Sequence, residues 1–73
     1  MGLSADTLAL IRRLPEKQRL VVLARFAYGL TPRETATALG LTVETERVTL
    51  HRALRALRGM MRASHEASHA RHA

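Results

Sequence analysis

Residues 30–57, LTPRETATALGLTVETERVTLHRALRAL, constrain the fold more than any other part of this chain, because helix-start and helix-stop residues follow one another there with nothing to spare. Thr31 suits a helix N-cap, Pro32 the first helical position, and Glu34 can reach back to complete a capping box. Gly40 then ends a short helix by supplying the left-handed residue that a tight turn needs. Past Leu41, Thr42 can cap a second and longer helix, whose apolar side is Val43, Leu50, Leu54, Leu57 and Met61 at helical spacing. Arg47, His51, Arg55, Arg58 and Arg62 recur at intervals of three or four, so they line a single stripe on that helix, with Arg52 beside it. Short helix, turn and long basic helix read as a helix-turn-helix whose second helix is fit to face DNA.

The residues upstream supply the support. Leu3, Ser4 and Leu8 fit a hydrophobic staple around a serine cap, and Asp6 is well placed in the first turn. A first helix is expected over residues 5–13. Leu14-Pro15 breaks it, and Pro15 opens a second helix running to about residue 28. Leu20, Val21, Val22, Leu23, Ala24, Phe26 and Ala27 make that helix apolar nearly all round, as a central helix packed by several neighbours would be. Gly29 stops it. No strand pattern occurs, so the expected fold is all-α: a compact four-helix domain with a C-terminal helix-turn-helix over residues 1–62. Beyond it, residues 63–73 form a polar tail rich in His and Ala, expected as frayed helix or disorder.

Size and charge narrow the function. Seventy-three residues make one small domain, with no room for an enzyme cleft and a scaffold to carry it. Cysteine is absent, so neither disulfides nor thiolate zinc sites are available. No apolar run approaches a membrane span and no signal peptide opens the chain, which makes the cytoplasm the expected location and leaves out a membrane partner. The net charge of +6 lies unevenly: residues 1–46 carry six basic and five acidic side chains, residues 47–73 six and one. Eleven of the twelve basic residues are arginine, whose planar fork matches phosphate oxygens and guanine edges. With Phe26 and Tyr28 the only aromatics, duplex contacts are favoured over the stacking platforms of single-strand binders. His65, Glu66, His69 and His72 have metal-like spacing but no rigid element to hold them. No catalytic constellation is present, and neither an enzymatic activity, a cofactor, a metal nor a small-molecule substrate is expected.

Taken together, Leu14-Pro15-Glu16-Lys17-Gln18-Arg19, Gly29-Leu30-Thr31, Glu34, Ala36, Leu39-Gly40, Val43, Thr45, Arg47 and Leu50-His51-Arg52-Ala53-Leu54 resemble region 4 of bacterial sigma factors, above all those of the extracytoplasmic-function group. The resemblance covers about residues 8–58. It implies recognition of the promoter minus-35 element by the last helix, docking on the β-subunit flap of core RNA polymerase, and capture by an anti-sigma factor. DNA contacts carried over by position are Arg47, Val48, Thr49, His51 and Arg52, flanked by Thr45 and Arg55, with Arg33 on a phosphate. The chain departs from the family pattern at Glu44, where a small residue is usual, at Glu46, where a buried valine is usual, and at Thr49, where arginine is frequent. Glu46 continues the apolar side of its helix, so it must be paired, protonated or turned outward.

Two other readings remain open. The same helices could serve protein binding, through Val21, Val22, Phe26, Met60 and Met61, with Glu44 and Glu46 facing the partner. The segment from Leu30 to Glu34 is also similar to the DNA-binding domain of LuxR-type regulators, where it stands ahead of the helix-turn-helix instead of opening it.

Overall fold

A computed structural model describes the backbone of residues 3–72 and the side chains of residues 3–66. It is all-helical over those residues: α1 (Ala5–Ile11), α2 (Glu16–Val22) continuing into a π-helical turn (Leu23–Ala27), α3 (Pro32–Leu39) and α4 (Val43–His72). α4 is the spine, and α1, α2 and α3 all pack on it, α2 most extensively.

Local chemistry sets the boundaries. The Thr7 amide donates to the Ser4 hydroxyl at 3.1 Å, capping α1. The capping box at α3 is complete: the Glu34 amide donates to Thr31 Oγ1 at 3.1 Å, and the Thr31 amide donates to Glu34 Oε1 at 2.8 Å. α3 closes in a Schellman arrangement, with the Gly40 amide on the Thr37 carbonyl at 3.3 Å and the Leu41 amide on the Ala36 carbonyl at 2.8 Å. Thr42 Oγ1 then accepts the Thr45 amide at 3.0 Å and starts α4. The short link between α3 and α4 is thus capped on both sides, which fixes the direction in which α4 leaves the turn.

Two glycines here answer to different physics. Gly40 has φ +69° and no atom within 4 Å of the place a methyl group would take, so Gly40→Ala meets only a conformational penalty of about 1–2 kcal/mol. Gly59 sits inside α4, also in open space, and Gly59→Ala should add about 0.5–1 kcal/mol through helix propensity. Thermal melts followed by circular dichroism are expected to move in opposite directions, by roughly 4–8 °C per kcal/mol in a domain of this size. A neutral Gly40→Ala would show that the turn relaxes away from the left-handed region.

The core joins Ile11, Leu14, Val22, Ala53 and Leu57, with Leu10, Leu23, Leu50, Leu54 and Met60 partly buried around it. Several expectations need correction. α1 ends at Ile11 and not at residue 13, with Arg12 and Arg13 in the turn before Pro15. The second helix changes its bonding at Leu23: the Tyr28 amide reaches the Leu23 carbonyl five residues back, at 3.0 Å, and the Leu30 amide reaches the Ala24 carbonyl at 2.9 Å across Gly29. That wider turn points Phe26 outward, and Leu20 also lies on the solvent side, so neither is a core residue. Val21 and Val22 are the face of α2 turned to its neighbours: Val21 lies wholly inside, and Val22, though 2 % exposed, lines an apolar groove. The backbone of α4 is helical through His72.

Candidate nucleic-acid interface

One side of α4 is used up by the core. Glu46, Thr49, Ala53 and Leu57, spaced three, four and four residues apart, are its buried seam. What remains exposed over the first half of the helix is Glu44, Thr45, Arg47, Val48, His51, Arg52 and Arg55. From Thr45 to Arg52 is about 10 Å of helix axis, the length that fits across a major groove. Thr42, Glu44, Thr45, Val48, Thr49 and Arg52 line a shallow concavity on this face. Its chemistry is mixed: the Val48 side chain, about half exposed, offers an apolar surface of the sort that meets a thymine methyl, Arg52 offers a fork for guanine, and Glu44 offers an acceptor for a cytosine amino group.

Lower on the helix the surface becomes uniformly basic. Arg55, Arg58 and Arg62 flank Gly59 around a second shallow depression. Among the described residues, none of the arginines from Arg47 to Arg62 is paired with a carboxylate, so their charge is available to a ligand. Arg33 is exposed in the first turn of α3, next to that helix's positive end.

Thr49 stands at the edge of this surface: it is only 9 % exposed and belongs to the seam, yet it lines the same concavity as Thr45, Val48 and Arg52. Glu46 is fully buried, and the question its position raises has a definite resolution: Arg25 Nη1 donates to Glu46 Oε2 at 2.8 Å, from the π-helical turn across to the first turn of α4. Glu46 Oε1 has no hydrogen-bond partner among the described residues. Sequence reasoning misses Arg25, although it follows Val21 by four and so lies on the inward face of its helix.

A separate apolar groove, of about 270 Å³, opens between α1, the end of α2 and α4, lined among others by Leu3, Thr7, Phe26, Leu54 and Met61. Phe26 and Met61 are half exposed there, whereas Met60 is packed against the core. The metal-like histidines contribute nothing that can be assigned: the side chains of His69 and His72 lie outside the described residues, and no group of three ligand-type residues comes together among those described. Nor is any helix long and apolar enough to cross a membrane, among the described residues.

A short capped helix set against a longer one, with exposed basic and hydrogen-bonding side chains on the outer face of the second, defines a helix-turn-helix domain of the DNA-binding class. Comparison with known proteins is specific about which. Residues 4–57 match the family "Sigma-70, region 4", and the chain belongs to that family. It is 40 % identical over 62 residues to the ECF RNA polymerase sigma factor SigD of Mycobacterium tuberculosis, an alignment covering 80 % of this chain and 29 % of that protein, and it aligns equally well with SigD of Mycobacterium bovis. With the ECF RNA polymerase sigma factor ShbA of Streptomyces griseus it shares 45 % identity over 51 residues, 70 % of this chain and 27 % of that one. The chain therefore spans less than a third of the length of the curated relatives it matches, and corresponds to a region 4 domain of the ECF type.

Proposed function

We propose that this domain reads the minus-35 element of promoters through residues 45–52 of α4, as the upstream-binding part of a sigma factor in the bacterial cytoplasm. The observation that carries the reading is the exposed face of Thr45, Arg47, Val48, His51 and Arg52, placed by a capped turn and backed by a basic stripe. Thr45, Arg47, Val48 and Arg52 stand toward base edges. Arg33, Arg55 and the arginines below them stand toward phosphates, where they give affinity without sequence information. Thr49, mostly buried at the floor of the same concavity, offers the bases little surface of its own.

Selection of bound duplexes from a randomised pool at low salt tests this directly. The wild-type domain is expected to enrich one short motif. Arg47→Ala should flatten the preference, whereas Arg62→Ala should weaken enriched and scrambled duplexes alike. Equal losses on all sequences for both variants would remove base readout from the assignment.

The apolar groove supports a second activity beside the first. An exposed aromatic and a methionine at the mouth of a groove fit an apolar segment of core RNA polymerase, at its β-subunit flap, or of an anti-sigma factor. Arg58 lines this groove as well as the basic depression, so protein docking and phosphate contact would meet at that residue.

A further inference from the structure

The Arg25–Glu46 pair is an expensive way to hold two helices together. Glu46 is wholly removed from water, yet only one of its two oxygens is bonded, by one arm of a guanidinium that has five donors to offer. Apolar side chains of similar volume would join α2 to α4 at least as firmly. What they would not do is fix the helix in one rotation. Contacts of the kind made by Leu50, Leu54 and Leu57 are non-directional and tolerate small rolls and slides of one helix on another. A 2.8 Å charge-assisted hydrogen bond does not, and any arrangement that turns Glu46 away from Arg25 leaves a buried carboxylate with no cation beside it.

The location of the bond gives this rigidity a use. Glu46 lies between Thr45 and Arg47 in the sequence and within two turns of Val48 and Arg52, so it fixes the segment on which base readout depends. Arg25, its anchor, sits in the π-helical turn, whose bonds from Tyr28 to Leu23 and from Leu30 to Ala24 hold the backbone around it. We infer that Arg25 and Glu46 are positioning residues that lock the rotation of α4, and so determine which side chains meet the bases and with what selectivity, while contributing little to overall DNA affinity. This inference rests on the DNA-reading role proposed above.

The test compares the wild-type chain with R25M/E46V, which replaces the pair by apolar groups, and with R25K, which keeps a cation opposite Glu46. Each is titrated at low salt with two probes: the duplex enriched by the wild type and a scrambled duplex of the same length and composition. R25M/E46V is expected to melt cooperatively and to hold the scrambled duplex within about twofold of wild type. Its enriched-to-scrambled affinity ratio should fall about tenfold or more, the discrimination that one good base contact carries. R25K should recover most of that ratio. Amide resonances of Thr45, Arg47, Val48 and Arg52 in the DNA-free double variant should broaden or multiply while those around Ile11 and Leu57 stay sharp. A double variant with the wild-type ratio and unchanged α4 resonances overturns the inference but leaves DNA reading intact. One that no longer melts cooperatively overturns it too, since the pair would then be plain structural support. A wild-type domain that fails to distinguish the two duplexes defeats the DNA reading itself, and this inference with it.

Discussion

Arg25→Ala is expected to remove about 3–5 kcal/mol of stability, because it leaves the Glu46 carboxylate buried without its cation. For a chain of this length the total is only about 4–11 kcal/mol, so the variant should lose a large share of it and melt well below the wild type. The reverse truncation is milder. In Glu46→Val the arginine left behind, its side chain already 23 % exposed, can swing its charged end into water while its methylenes stay packed. Removing both charges together in R25M/E46V should cost little, or even stabilise the fold. Urea melts of the three variants therefore have a predicted order, with Arg25→Ala lowest by a wide margin. If Arg25→Ala and Glu46→Val proved equally mild, the carboxylate would have to escape burial when its partner is lost.

Salt should act on DNA binding as strongly as that mutation acts on the fold. With three to five phosphate contacts, Arg33, Arg55, Arg58 and Arg62 among them, log K is expected to fall with log salt at a slope of about −3 to −5. A rise from 50 to 200 mM KCl then weakens binding by about 60- to 1,000-fold. The expectation has an internal check, since the loss of one phosphate-contacting arginine, as in Arg55→Ala, should reduce the steepness by about 1. The isolated domain is accordingly expected to hold DNA weakly at physiological salt, so that firm promoter engagement needs further contacts from elsewhere. Fluorescence anisotropy across a salt series measures both quantities. A slope near zero would mean that the basic stripe lies off the duplex, and that the apolar groove beside Phe26 carries the domain's principal interaction.

The parts of this molecule governed by local chemistry are legible from its residues. Ser4, the Thr31 to Glu34 box, Gly40 and Thr42 each do what their position in the sequence suggests, because a cap involves groups only three or four residues apart. The exposed stripe follows from helical spacing for the same reason. What depends on distant partners is not legible. Helical phase puts Glu46 on the apolar side, but nothing near it in sequence announces Arg25, twenty-one residues earlier and embedded in an apolar run. Position in the family pattern assigns Thr49 to DNA, and only the fold shows how little of it is left exposed where the buried seam meets the concavity beside Arg52. The apolar run that holds Phe26 and Leu20 reads as a helix packed by neighbours on nearly every side. Composition of that kind cannot tell which side is left for solvent or for another protein.

The π-helical turn at Leu23–Ala27 holds one residue more than an ordinary turn of helix requires, and its closing bond from Leu30 reaches six residues back to absorb the surplus. Removing a single residue at Ala27 would let the same arm close as regular α-helix, with Glu16–Val22 and everything from Pro32 onward left in place. Chain length in this arm should therefore be able to change by one without moving α4. Homologous domains one residue shorter here should superimpose on this one, the gap in their alignment falling inside a continuous helix and not in a loop.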